Sequence, residues 1–285
     1  MLRVMPLSKA SSQHEFKQSV AYWCLADTDW KWNTEQICQA AVQLGLDSVE
    51  LAPPETYVEL RKHNLSCALC FNGMPGAPFV RGLNNLRYHD EIIASTKQSI
   101  DLAAEFDFPN VIAFTGYRWK NAEDPESGEI SRENCITNCV RGLSVLADYA
   151  SARNVTMCLE HLNSRDDSHP MKGHPGYQGD DLDLCADIIR NVNSPAARLL
   201  FDVYHVQVMH GDIIRRLYAN RDVIGHIHTA GCPGRNEFDD RQEIHYPGVV
   251  AAIREIGYEG YIGHEFIPTG EPIQALQKAK RFFEN

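Results

Sequence analysis

The sequence predicts an α/β protein folded as a single closed (β/α)8 barrel, and three observations carry that expectation. Strand-like and helix-like patterns alternate from Ser19 to the end, and such alternation with right-handed crossovers gives a parallel sheet. Eight strand–helix units can be traced, and eight favour closure over an open sheet. Four short apolar runs, VTMCLE, LLFD, IGHIH and YIGHE, end at Glu160, Asp202, His228 and Glu265. Each of these residues can bind a divalent metal.

A lead segment of residues 1–18 precedes the barrel, which takes residues 19–285 as one domain. The first strand is read at 19–24 (SVAYWC). Asn33 or Thr34 can cap the helix that follows, and Gly45 ends it, as glycine tolerates the left-handed turn there. Residues 48–51 make the second strand, 55–64 a short helix and 66–72 (SCALCFN) the third strand. Gly and Pro turn 73–81 into a loop. An amphipathic helix at 90–106 leads to the fourth strand at 110–116, and 117–129 reads as a further loop. Helices at 132–154, 181–192, 212–218 and 247–256 precede the last four strands, and 272–283 closes the chain. The segments 163–180 and 229–246 are long for a compact domain and fit lids or binding loops.

Bulk properties narrow the function. A net charge of −11 argues against a nucleic-acid binder, which needs clustered Lys and Arg, and against an anionic membrane. No run approaches a membrane span or a secretory leader, so a cytoplasmic location is expected. The nine cysteines are odd in number and scattered over strands and helices, which fits reduced, buried thiols. Cys67 and Cys70 have C-x-x-C spacing, but i and i+3 on a strand face opposite sides, so no redox role is expected.

The four strand-end residues are 42, 26 and 37 residues apart, about one strand–helix unit per step. In a (β/α)8 barrel the C-terminal ends of the strands converge on one rim. Three carboxylates and an imidazole at one point call for a cation, and the oxygen-rich set suits Mn²⁺ or Mg²⁺, or Co²⁺. Glu160 and Glu265, on strands five and eight, can take and return a carbon proton. A developing enediolate needs positive charge beside it, which such a cation supplies. His205, three residues after Asp202, and Arg235, in the turn CPGRNE, can hold substrate oxygens. Glu50 and Asn72, near the ends of strands two and three, are further substrate-lining candidates. His226 reads as a support beneath His228, His161 and His264 as structural. His169 and His174 are open between lid contact and exposure.

At these residues the sequence resembles the xylose-isomerase-like TIM barrels of the sugar isomerase/epimerase superfamily. The marks are LEHLNSRD, FDVYH, HIHTAGCPGR and GHEF, and the likeness covers the chain from Ser19 onward. HIHTAGCPGR is most similar to hydroxypyruvate isomerase-type members. The resemblance implies that Glu160, Asp202, His228 and Glu265 bind metal, with the two glutamates doubling as acid/base pair, and that His205 and Arg235 hold substrate. Hydroxypyruvate isomerase-type sequences tend to carry Gln where this chain has His228 and Pro where it has His161, and His228 is more like the ketose 3-epimerases. The expected activity is thus isomerisation or epimerisation of a small hydroxy-carbonyl compound, with the substrate open. Alternatives are a keto-inositol or polyol dehydratase, an endonuclease IV-like phosphodiesterase, which the negative charge opposes, and a non-catalytic barrel, which would have lost a ligand. Related barrels often form homodimers or homotetramers.

Overall fold

Among the described residues, seven parallel strands form one curled sheet, and an irregular eighth segment closes it. A computed structural model describes residues 16–284, so most of the expected lead segment lies outside the described residues. The strands are β1 (Lys17–Ala21), β2 (Ser48–Glu50), β3 (Asn110–Ala113), a separate antiparallel pair β4 (Trp119–Asn121) and β5 (Asp124–Glu129), then β6 (Thr156–Glu160), β7 (Ala197–Asp202), β8 (Ile224–Thr229) and β9 (Tyr261–His264). Around the barrel they run β2-β1-β9-β8-β7-β6-β3.

The expected third strand bridges the gap between β2 and β3 without forming a regular ladder. Ser66 pairs with Ser48 and Cys70 with Val111. Between them the backbone of Ala68 turns to side chains: its N–H donates to Ser48 Oγ at 2.7 Å, and its carbonyl accepts from Asn110 Nδ2 at 2.7 Å. Two buried polar side chains replace two ladder bonds, so both backbone groups of Ala68 are paired while the strand is broken. Two other expectations also change. The first strand ends at Ala21, and Trp23–Ala26 coils into a helical turn. The expected loop at 117–129 contains the β4–β5 hairpin, its turn tied by Ser127 Oγ, which accepts from Asn121 N at 2.9 Å and donates to Asp124 O at 2.6 Å.

Local sequence explains the helices. The helix Thr34–Leu44 has the capping box of Asn33 and Gln36, and Gly45 closes it at φ 65°. In the helix Leu182–Val192, Leu184, Cys185, Ile188 and Ile189 form the buried stripe, while Asp183 and Asp187 face water. Each such Leu or Ile, moved out of water, stabilises the packed state by roughly 1.5–3 kcal/mol. Asp181 caps the start through Asp183 N, and Asn193, at φ 50°, ends it. Helices packed in this way cover the sheet and bury its outer face. A second apolar cluster, including Trp23, Leu51, Leu69, Ile112, Phe114 and Leu200, lies apart from that main core. All nine cysteines are free and buried. Among the described residues no helix is long and apolar enough to cross a membrane.

Candidate active site

Parallel pairing sets the heights of the rim residues. Asp202 lies opposite His228, and His228 opposite Gly263, so Glu265 follows two residues later on the same face. Glu160 closes β6 at the neighbouring position. Glu160, Asp202, His228 and Glu265, all buried, each bring one ligand atom within 4.8 Å of the others. His228 Nδ1 lies 2.8 Å from Glu265 Oε2 and 3.4 Å from Glu160 Oε1.

The electrostatics of this cluster call for a cation. Burial pushes the Glu160 carboxyl up to about 7, with Glu265 and Asp202 adding to the rise and His228 opposing it. Burial also raises Asp202. Glu265 goes the other way: burial works against its charge, but Arg235 and His228 outweigh it and hold it down to about 2. His228 is likewise resisted by burial, yet Glu265 and Glu50 keep its proton on well above the usual histidine range. The point thus gathers positive charge from the protein itself. Glu160 Oε1 and both ring nitrogens of His228 are buried without a well-aligned hydrogen bond. A divalent cation at this point would supply that positive charge in place of the His228 proton, and three carboxylates with one imidazole that gives up its Nδ1 proton fit such an ion.

His228 is held from behind. Its Nε2 lies 2.7 Å from Glu50 Oε1, and the other Glu50 oxygen lies 3.1 Å from His226 Nε2. A carboxylate on the far nitrogen fixes the ring and leaves Nδ1 for the ligand position. Burial opposes the Glu50 charge, but His226 and His228 together drop its pKa far below the usual carboxylate range. Gly263, on β9 opposite His228, makes the contact possible: a Cβ there would strike Glu50 Oε1 and come within 2.8 Å of His228 Cδ2. The structure therefore turns Glu50 toward these imidazoles, not toward the cavity where it was expected to line substrate. Asn72 is also absent from the cavity wall; its Oδ1 accepts from Met74 N at 3.1 Å and shapes the following turn.

Asp202 has two tasks. Oδ1 caps the helix Val203–Met209 by accepting from Tyr204 N at 2.7 Å and His205 N at 3.1 Å, which leaves Oδ2 for the cluster. His205, the third residue of that helix, accepts at Nδ1 from Asn163 N at 3.0 Å and Asn163 Nδ2 at 2.7 Å. Its proton therefore sits on Nε2, 3.6 Å from Asp202 Oδ2 and without a partner. Burial, then Arg235, holds the ring far below its ordinary pKa, so it is a neutral donor. Arg235 reaches both Asp202, at 3.2 Å, and Glu265, and donates to Met171 O at 2.5 Å. Its backbone adopts φ 54°, uncommon for a non-glycine residue, and the Ile267 N–H fastens its carbonyl at 2.7 Å.

Of the remaining histidines, His161 contacts Asp180 O and His264 contacts Gln18 and Thr229, as structural side chains do. His226 sits beside His228 on Glu50 as a support. His174 is buried with its ring 4.0 Å from Phe79, whereas His169 is exposed. Sequence reasoning missed Trp23, whose Nε1 donates to Glu265 Oε1 at 2.8 Å. It follows the end of β1, so the same strand-end rule could have found it. Asn163 and Gly263 were missed too, and only contacts across the barrel reveal them.

Over the carboxylates lies a cavity of about 390 Å³, reached by Glu160, Glu265, Arg235, His174 and Trp23 and otherwise largely apolar. A parallel barrel that gathers carboxylates and imidazole from successive strands beneath such a cavity defines a (β/α)8 active-site architecture. The chain belongs to the xylose isomerase-like TIM barrel family, whose family model matches residues 38–285. It is 33% identical to a 2-oxo-tetronate isomerase of Cupriavidus necator over 140 residues, 49% of this chain and 51% of the relative, so this match spans about half the relative's length. Identity to a putative hydroxypyruvate isomerase of Xenopus laevis is 27%, over 87% of this chain and 89% of that one. Among solved structures, an AP endonuclease, family 2, from Brucella melitensis superposes with a TM-score of 0.75 at 23% identity, covering 92% of this chain and 96% of that one. At that identity the likeness is one of fold.

Proposed function

We propose that the chain is a divalent-metal-dependent isomerase of small 3-hydroxy-2-oxo acids, the compound class to which hydroxypyruvate and 2-oxo-tetronate belong. The observation that carries this reading is that Glu160 and Glu265 face one cavity from opposite ends of a four-residue cluster, with Arg235 beside them. The names of the two relatives support the substrate class. Glu160, Asp202, His228 and Glu265 would hold the cation, with Mn²⁺ or Mg²⁺ the expected metal and Co²⁺ a substitute. When bound, that ion supplies positive charge to the two oxygens of the hydroxy-carbonyl pair.

The chain's own groups do the rest. One glutamate removes the proton from C3, and the C3–H electron pair becomes the C2–C3 double bond of an enediol. The proton is returned to C2 while the O3 proton moves to O2, so no atom is gained or lost. His205 Nε2–H donates to a substrate oxygen, and Arg235 pairs with the carboxylate as a planar fork. Return of the proton to the opposite face of C3 would give an epimerase from the same groups, and the separation of the two glutamates allows it. A nucleic-acid phosphodiesterase fits poorly: the chain carries −11 and the cavity wall is apolar. Proton exchange in D₂O with hydroxypyruvate, followed by NMR with and without Mn²⁺, tests the reading. Metal-dependent deuterium uptake is expected, and its absence despite bound metal would refute it.

A further inference from the structure

The cavity is larger and less polar than a three-carbon acid requires. Its volume, about 390 Å³, lies in the range of roughly 300–1,000 Å³ that buries a drug-sized ligand. The polar groups crowd one end, where Glu160, Glu265 and Arg235 stand. The wall away from them is made by Leu51, Phe71, Phe79, Ile112, Phe114 and Leu162. Little side-chain polarity remains there. Trp23 Nε1 is used on Glu265 and Asp27 is exposed at the mouth, which leaves the ring nitrogens of His174, packed on Phe79, as the side-chain polarity on that wall. Phe79 is itself braced edge-on by Phe114 at 6.2 Å. A sugar chain laid along this wall would lose water from most of its hydroxyls and find few partners to replace it.

Resting on the isomerase reading above, we infer that the substrate's arm beyond the reacting carbons is apolar: a 3-hydroxy-2-oxo acid bearing an alkyl or aryl group, not a polyhydroxylated chain. The carboxylate and hydroxy-carbonyl ends lie over the four-residue cluster and Arg235, and the arm fills the aromatic side. Each methylene buried against such a wall improves kcat/KM by roughly ten- to 200-fold, whereas an added hydroxyl is penalised by up to roughly a hundredfold.

The test compares 3-hydroxy-2-oxohexanoate and 3-hydroxy-2-oxo-4-phenylbutanoate with the tetrahydroxylated 2-oxohexanoate of the same backbone. Deuterium uptake is read with Mn²⁺, using hydroxypyruvate as the armless reference. The alkyl and aryl acids are expected to exceed the tetrahydroxylated acid in kcat/KM by at least about tenfold. Phe79→Ser should move that ratio toward one, and Phe79→Leu should keep it. Equal or better turnover of the tetrahydroxylated acid, or a ratio indifferent to Phe79→Ser in a folded variant, overturns the apolar arm while the isomerase reading stands. Loss of exchange on every acid, hydroxypyruvate included, overturns both.

Discussion

Strands β6 to β9 and the strands that complete the ring reach the same rim with opposite chemistry. The former end in Glu160, Asp202, His228 and Glu265; the latter offer Leu51, Phe71, Ile112 and Phe114. The charged half is stiffened by contacts between elements far apart in sequence: Glu50 on β2 backs His228, Trp23 after β1 fixes Glu265, and Asn163 after β6 orients His205. The apolar half needs no such network, because dispersion and water exclusion are not directional. Polar precision and apolar bulk are thus divided between two sides of one mouth, where the first can direct a reacting group and the second can dehydrate it.

Removing a proton-transfer group from the charged half should have the largest effect. Glu265→Gln is expected to lower deuterium exchange on hydroxypyruvate by about 10²–10⁴-fold, with circular dichroism unchanged; exchange within tenfold of wild type would remove Glu265 from the chemistry. Next comes the cation. Mn²⁺ at about a hundred times its Kd should raise unfolding free energy by about 2.7 kcal/mol, and Asp202→Asn should abolish most of the gain in a thermal melt. A melt blind to Mn²⁺ would mean that the cluster is held by Arg235 and His228 alone.

Glu50 joins the two halves, and its replacement sharpens the comparison. Glu50→Gln should weaken metal binding by about 10–100-fold in a chelator competition, because His228 loses the carboxylate that fixes Nδ1 toward the cluster. Unchanged affinity would reduce Glu50 to a filler of the barrel interior. The smallest expected effect concerns His174, where the aromatic side meets the charged one. Burial, then Arg235, lowers its pKa from 6.5 to about 3. The folded value lies below the unfolded one, so below pH 6.5 the unfolded chain takes a proton that the folded chain refuses, and stability falls with pH. By pH 5.5 this group alone should cost about 1.4 kcal/mol. His174→Phe should flatten that part of the urea-unfolding pH profile, and an unaltered profile would show that His174 is hydrated.

Much of the site was legible before the fold was known, and for a local reason. A short apolar run ending in a carboxylate or imidazole marks both the strand and the end that reaches the rim, so Glu160, Asp202, His228 and Glu265, which the fold gathers at one point, could be picked by pattern. His205 and Arg235 followed from their spacing after ligand strands, and both lie against the cluster. The same pattern also picked Glu50 and Asn72, whose side chains turn away from the cavity wall. It overstated the regularity of 66–72, where Ser48 and Asn110 intercept the backbone of Ala68.

The sequence by itself determined the alternation of strands and helices, the closed parallel barrel and the identity of the rim donors, because periodicity, capping and strand-end position are properties of neighbouring residues. Only the tertiary structure decided that Glu50 backs His228 through the space left at Gly263, that Trp23 fixes Glu265, and that one side of the mouth is aromatic. Those arrangements depend on how strands far apart in sequence register against one another around the barrel, and no local pattern encodes that height.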